Sequence, residues 1–293
     1  MLVYQHVAGP PPSHALVEVG KKLGSGSTAT VWEHTLPSGQ QCALKVGKNE
    51  LCAATLQHER SMLDALEHPN IVRALVHAPL DPPRYLYPCL PLELASGSDL
   101  FEVIQEMPAS FDAASKRRIF VQLASAVNHC HEHGIVHRDI KPDNVVVDQG
   151  YAVKLIDFGA ARLCPTDGGR LYTIKGTAGY MAPEVVLEHW NGYDGKRSDC
   201  WSMGVVLFAM HASFLPFGDD VRTCSIFKQA HMQRDPLAPA FQLCAHVLQT
   251  YECDAALIEA DAQVLIDELL QASPVKRATA SEVLRTAEYM LQP

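Results

Sequence analysis

The sequence predicts an α+β chain, rich in strands over its first third and mainly helical thereafter. Three observations carry this. Residues 40–46 (QQCALKV) alternate so that Cys42, Leu44 and Val46 share one face and Ala43 and Lys45 the other, the period of a strand. From Ile119 through Leu123, Val127 and Cys130, apolar residues recur at three and four, the period of a helix. Residues 145–147 and 153–156 are short β-branched runs across a turn at Asp148-Gln149-Gly150, which reads as a hairpin.

Taken in order, residues 1–14, with Pro10-Pro11-Pro12, read as an N-terminal extension. A strand over residues 17–23 then runs into Gly24-Ser25-Gly26-Ser27-Thr28-Ala29-Thr30-Val31-Trp32. Its glycines let the backbone approach a phosphate and offer it N–H groups, although a plain hairpin needs such residues too. After the Lys45 strand, residues 51–66 predict a helix. Glu59 stands three, four and seven residues before Met62, Leu63 and Leu66, so a carboxylate lies on the apolar face and needs a partner. His68-Pro69-Asn70-Ile71-Val72 ends this helix and opens another strand; in the stretch that follows, Pro88 and Pro91 are unusual residues for a strand interior.

The 119–130 helix ends in His129-Cys130-His131-Glu132-His133, a tempting metal motif. Residues two apart on a helix point to nearly opposite sides, so His131 cannot join His129 and His133 on one ion. The hairpin beyond carries the chemistry. His137-Arg138-Asp139-Ile140-Lys141-Pro142-Asp143-Asn144 leads into it and Asp157-Phe158-Gly159 follows it, which puts Asp139 and Asn144 at its entrance and Asp157 at its exit. Oxygen ligands for magnesium beside a carboxylate able to deprotonate a hydroxyl suit phosphoryl transfer, and Lys141 adds a cation for the phosphate. Residues 200–218 contain no Asp, Glu, Lys or Arg, but their strongly apolar part spans only about ten residues, a core helix rather than a membrane span.

Composition bounds the partners. With 24 basic and 33 acidic residues the net charge is −9, which argues against nucleic acid or an anionic membrane as a partner. The nine cysteines are never closer than Cys244 and Cys253 and form no CxxC pair, so thiols in an intracellular, cytoplasmic setting are expected rather than a disulfide framework or a zinc ribbon. The first residues lack a basic then apolar leader, so no signal peptide is expected.

The motifs H-R-D-x-x-x-x-N at 137–144 and D-F-G at 157–159 resemble the signature of the eukaryotic protein kinases, serine/threonine type. Gly24-Ser25-Gly26 through Val31 resembles the family's glycine-rich loop with Ala29 in place of its third glycine. Ala43-Leu44-Lys45 resembles V-A-I-K, and the resemblance makes Lys45 the partner that the Glu59 carboxylate needs. Residues 176–184 resemble G-T-x-x-Y-M-A-P-E, residues 199–204 the D-x-W-S-x-G start of a central helix, and Arg277 the late arginine that pairs with Glu184.

The resemblance implies a bilobal fold: a small antiparallel β-rich N-lobe with one main helix over residues 15–94, a hinge, and a larger, mainly helical C-lobe over 95–290. It implies ATP and Mg2+ as cofactors, with Asp139 as base, Lys141 and Lys45 as phosphate cations, and Asn144 and Asp157 as metal ligands. Nucleotide contacts fall to Leu23, Gly24, Ser25, Gly26, Val31, Ala43, Lys45, Glu59, Leu92, Glu93, Ala95, Asp99, Val146 and Ile156, with Leu92 at the gatekeeper place. Substrates would be Ser or Thr hydroxyls of proteins, with an upstream kinase acting on Thr173. A kinase-shaped scaffold without catalysis is the rival reading. Residues 233–260 fit the pattern least and read as an insertion.

Overall fold

The computed structural model describes residues 20–75, 87–106, 110–164, 169–187, 189–228 and 243–289. It has a bilobal α+β fold. The described residues of the first unit are 20–67, 71–75, 87–96 and 157–159; the second holds 68–70 and, from residue 97 on, the rest.

In the first unit, β1 (Lys22–Ser25), β2 (Ala29–Thr35), β3 (Gln41–Gly47) and β4 (Cys89–Glu93) form an antiparallel sheet in that order. The expected strand over 17–23 thus begins later, and residues 17–19 lie outside the described residues. The alternation in β3 places Cys42 and Leu44 against Leu36 and Leu75, with Val46 and Cys89 packed on that cluster. Pro91 is tolerated inside β4 because its carbonyl accepts from Leu75 N, so its nitrogen also faces away from β3, where no ladder bond is lost. Residues 71–75 do not extend into the expected strand. They make isolated bridges at Ile71 and Ala74, the latter opposite Leu92 and flanked by Glu93 N donating to Arg73 O. Helix α1 (Ala53–Leu63), entered through a 3₁₀ turn at Glu50–Cys52, is shorter than expected and buries Leu56, Glu59, Met62 and Leu63.

The second unit opens with β5 (Ser98–Asp99) and α2 (Leu100–Glu106). Helix α3 (Ala113–Glu132) is capped by Asp112, whose side chain accepts from Ser115 N. A two-stranded pair, β6 (Ile135–Val136) and β9 (Arg162–Leu163), flanks the hairpin of β7 (Val145–Val147) and β8 (Val153–Leu155). The hairpin's loop is longer than the expected three residues. Asp148 Oδ1 accepts from both Gly150 N and Ala152 N, and the left-handed residue is Tyr151 (φ 60°) rather than the glycine. Tyr151 is held there by its hydroxyl on Ser110 Oγ (2.6 Å) and its ring beside Phe111.

Helices α4 (Pro183–Leu187) and α5 (Gly195–Ala212) follow, then a single turn α6 (Ser225–Phe227), α7 (Leu243–Thr250), α8 (Ala260–Leu269) and α9 (Ala280–Tyr289). Asp194 caps α5, and every residue of α5 from 198 to 211 is buried, which explains a run apolar on all sides. Among the described residues no helix is long and apolar enough to cross a membrane. All nine cysteines are free thiols. Of the stretch read as an insertion, residues 233–242 lie outside the described residues, and 243–260 build α7 and the approach to α8.

The start of α7 is held by a carboxylate from another helix. Asp267 of α8 accepts from Cys244 N at 2.8 Å, and burial pushes its pKa up to about 6. A folded pKa above the unfolded one means that the folded state prefers the protonated acid. Stability from this group is therefore complete below the unfolded value of 3.8 and falls as pH rises to about 6. Asp267→Asn keeps an acceptor for Cys244 N and removes the titration. Its urea midpoint, relative to wild type, should be higher near pH 7.5 than near pH 4; an equal difference at both pH values would contradict this.

Candidate active site

In the first unit, β3 delivers Lys45 and α1 delivers Glu59. Lys45 Nζ lies 2.8 and 2.7 Å from the two Glu59 oxygens and 2.8 Å from Asp157 Oδ1. Glu59 is fully buried and Lys45 nearly so. Burial alone would lower the pKa of the Lys45 ammonium, but the Glu59 and Asp157 carboxylates hold it above its ordinary value, so the cation is secure. Asp157 sits at φ 61° with its side chain about half exposed (47%). Gly159 N donates to its Oδ1, and a Cβ on Gly159 would come within 3.2 Å of that oxygen, so glycine keeps the carboxylate accessible.

The glycine-rich turn is tight. Gly26 N donates to Ala29 O at 2.9 Å, and Ser25 Oγ meets Thr30 Oγ1 at 3.2 Å across it. Ala29, where the family pattern has glycine, is already the first residue of β2, buried and paired with Gly47. Leu23 and Ser25 are exposed, and Gly24 and Val31 half-buried. Ala43 stands opposite Leu92, both buried. Ala95 is half-buried, and Glu93 turns its carboxylate to Arg73.

In the second unit, Asp139, Lys141, Asn144 and Thr177 come together. Thr177 Oγ1 donates to Asp139 Oδ1 at 2.8 Å, and Lys141 Nζ donates to Thr177 Oγ1 at 3.0 Å. Asn144 Nδ2 donates to Asp139 O (2.7 Å) and Asp139 Oδ2 (3.2 Å). Both amide hydrogens thus face the aspartate, leaving Asn144 Oδ1 without a hydrogen bond among the described residues. Gly176, at φ 119°, lets the segment carrying Thr177 approach, since a Cβ there would lie 2.6 Å from Arg138 O.

Asp199, at 1% exposure, fixes this loop: Oδ2 accepts from His137 N and Oδ1 from Arg138 N, both at 2.8 Å. His131 Nε2 is 3.0 Å from Oδ2, which ties the middle histidine of the trio to structure, and no metal-ligand cluster occurs among the described residues. Val146 and Ile156 are half-buried. Ile156 N donates to Asn144 O and closes the hairpin's mouth. Asp99 pairs with Val146 in the β5–β7 ladder and caps α2 by accepting from Glu102 N at 2.8 Å. Burial, with the nearby Glu102 and Asp143 charges, pushes its carboxyl up despite that bond.

Two contributors carried no legible role in the sequence. His137 is fully buried; its Nδ1 accepts from Asp139 N (3.3 Å), so Nε2 carries the proton and donates to Ile156 O (3.0 Å). Tyr193 donates its hydroxyl to Thr173 O at 2.9 Å. Position in the H-R-D motif could have flagged His137; nothing local marks Tyr193.

A bilobal α+β fold with a lysine–glutamate–aspartate cluster in one unit and an aspartate–lysine–asparagine cluster in the other defines a phosphotransferase of the kinase type. A family model described as "Protein kinase domain" matches residues 17–289. The chain belongs to the eukaryotic protein kinase family, serine/threonine type. It is 37% identical over 246 residues to CBL-interacting protein kinase 4 of Oryza sativa subsp. japonica, covering 79% of this chain and 53% of that protein. It is 32% identical over 280 residues to CBL-interacting protein kinase 26 of the same organism, covering 93% and 52%. It is 37% identical over 212 residues to CBL-interacting serine/threonine-protein kinase 14 of Arabidopsis thaliana, covering 69% and 46%. The chain spans about half the length of the curated relatives it matches.

Proposed function

We propose that the chain transfers the γ-phosphate of ATP to serine and threonine hydroxyls of protein substrates, within a kinase domain of residues 15–290. The observation that carries this reading is the Thr177 hydroxyl donating to Asp139 Oδ1 beside Lys141. It demonstrates a carboxylate that accepts a hydroxyl proton's hydrogen bond next to a cation. Asp139 is assigned as the base and Lys141 as a cation near the phosphate in flight.

Asn144 in the second unit and Asp157 in the first each offer an oxygen of the type magnesium takes. Asn144 Oδ1 is a hard oxygen with no competing bond among the described residues, and the Asp157 carboxylate is half exposed. Bound magnesium and ATP would supply charge neutralisation and the phosphoryl group. Lys45, kept charged and oriented by Glu59, is assigned to the nucleotide phosphates. The glycine-rich turn offers backbone N–H groups, while Leu23, Val31, Ala43, Leu92, Ala95, Val146 and Ile156 supply apolar surface for the base and Glu93 backbone groups. Asp157→Ala should lower magnesium-dependent ATP turnover by about a hundredfold or more with an unchanged far-UV spectrum. Turnover within about threefold of wild type would remove Asp157 from the metal site.

Regulation is proposed at Thr173. Arg138 is buried, with Nε donating to Ala160 O (2.7 Å) and Nη1 to Thr173 Oγ1 (3.0 Å). A phosphate on that oxygen would give the guanidinium a charge-assisted partner. Of the other hydroxyls near by, Thr177 is engaged with Asp139, and Thr166, together with Asp167, lies outside the described residues. Phosphatase treatment, or Thr173→Ala, should reduce turnover about tenfold, the value of one charge-assisted hydrogen bond. Equal activity before and after treatment would dismiss the switch.

A further inference from the structure

A polar atom in the last turn of α3 has no role in the fold. His129 Nε2 is buried and has no hydrogen-bond partner among the described residues. A buried ring nitrogen left unpaired costs free energy, and such an orphan marks a place where a water or an ion belongs. The His129 ring centroid lies 4.2 Å from that of His133 and 5.0 Å from that of His68. His133 is exposed, and its Nδ1 donates to His129 O at 2.8 Å. A carbonyl only accepts, so Nδ1 carries the proton of the neutral ring and Nε2 keeps its lone pair. Histidines ligate metals in this arrangement, one N–H fixed on a carbonyl and the other nitrogen bare.

The surroundings select the ligand. His129 and His133 are four apart, the spacing at which two helical histidines meet on one metal ion. Both stand at the C-terminal end of a 20-residue helix, where the macrodipole favours a cation. Glu132 adds a negative charge that acts on the His129 ring. Burial, and then the neighbouring His133, hold the His129 pKa below its ordinary value, which keeps the ring in the neutral form that ligates. The other histidines near by are engaged. His68 Nδ1 accepts from Asn70 N and its Nε2 meets Ser125 Oγ, both at 3.1 Å, while His131 is held on Asp199. We propose that His129 Nε2 and His133 Nε2 together bind one transition-metal dication of the zinc class, at a site separate from the residues assigned to magnesium. Imidazole nitrogens suit zinc, whereas magnesium takes oxygen. Two Zn–N bonds of about 2.0–2.1 Å at a tetrahedral angle put their nitrogens about 3.4 Å apart, a separation that rings 4.2 Å apart can present. No group of three metal ligands occurs among the described residues, so water would fill the remaining positions.

The test titrates Zn2+ into the whole chain labelled with ¹³C-histidine, in excess Mg2+, following the Cε1–H resonances of His129 and His133, assigned by their loss in His129→Leu and His133→Ala. The two resonances should shift saturably with one shared midpoint, while that of His131 stays in place. Zinc taken up by thiols elsewhere leaves both signals unmoved, so the readout is confined to the pair. His133→Ala alters an exposed side chain and leaves the core intact. In it the His129 response should weaken at least about tenfold, because the second nitrogen no longer binds the same ion. The proposal is overturned if neither resonance moves with zinc up to about 1 mM. It is equally overturned if only His133 moves, if the two move with different midpoints as independent imidazoles would, or if His133→Ala leaves the His129 response unchanged.

Discussion

Asp139→Asn is expected to lower kcat for phosphoryl transfer by about 10²–10⁴-fold, the range for a lost general base. Asparagine has the shape of aspartate and can still accept the Thr177 hydroxyl at Oδ1, now 2.8 Å away. It cannot take up a proton, and its amide would face Asn144 Nδ2 and Lys141 Nζ, which lie 3.2 and 3.8 Å from Asp139 Oδ2. The backbone is held independently by Asn144 on Asp139 O and by His137 Nδ1 on Asp139 N. The loss of stability should therefore stay at about 1–3 kcal/mol, that of the one Asn144 Nδ2 bond to a charged acceptor. Steady-state kinetics alongside a urea titration separate the two effects. Activity within tenfold of wild type would remove Asp139 from the base's role.

Glu184→Ala should be the most destabilising single change. The Arg277 side chain is fully buried, and its Nη1 and Nη2 reach Glu184 Oε1 and Oε2 at 2.7 and 3.0 Å. Removing the carboxylate leaves a charge in the core whose remaining partners are carbonyls, Gln271 O and Arg197 O, and the Trp201 ring 5.1 Å away. Breaking a buried pair from one side costs about 3–5 kcal/mol. The double change Glu184→Leu with Arg277→Met, which removes both charges, should recover much of the loss, because the desolvation penalty disappears with them. Urea denaturation of the three proteins checks this; a loss below about 1 kcal/mol for Glu184→Ala would mean that carbonyls alone satisfy Arg277.

Much of the site was legible because its residues sit in short motifs whose chemistry is local. The strand alternation at 42–46 and the spacing of Glu59 from Met62 and Leu66 put a lysine on a strand face and a carboxylate on an apolar helix face, and the family resemblance paired them. Asp199 and Arg277 were legible only through resemblance, since their partners lie 61 and 93 positions away. What escaped was tertiary. The strand expected after Asn70 collapses to isolated bridges because Asn70 itself is drawn into the second unit, its Nδ2 on Val153 O and its carbonyl receiving Leu155 N. Tyr151 takes the left-handed position beside an available glycine because Ser110, 41 residues earlier, and the neighbouring Phe111 hold its side chain. Asp99, which the resemblance implies as a nucleotide contact, caps α2, a task that i to i+3 spacing alone does not distinguish.

The central claim is tested most directly by incubating the chain with γ-labelled ATP, magnesium and a peptide array, then hydrolysing the products for phosphoamino acids. Label should appear in phosphoserine and phosphothreonine, vanish without magnesium, and be absent with Asp139→Asn. ATP bound without transfer by wild type, or label confined to phosphotyrosine, would contradict it.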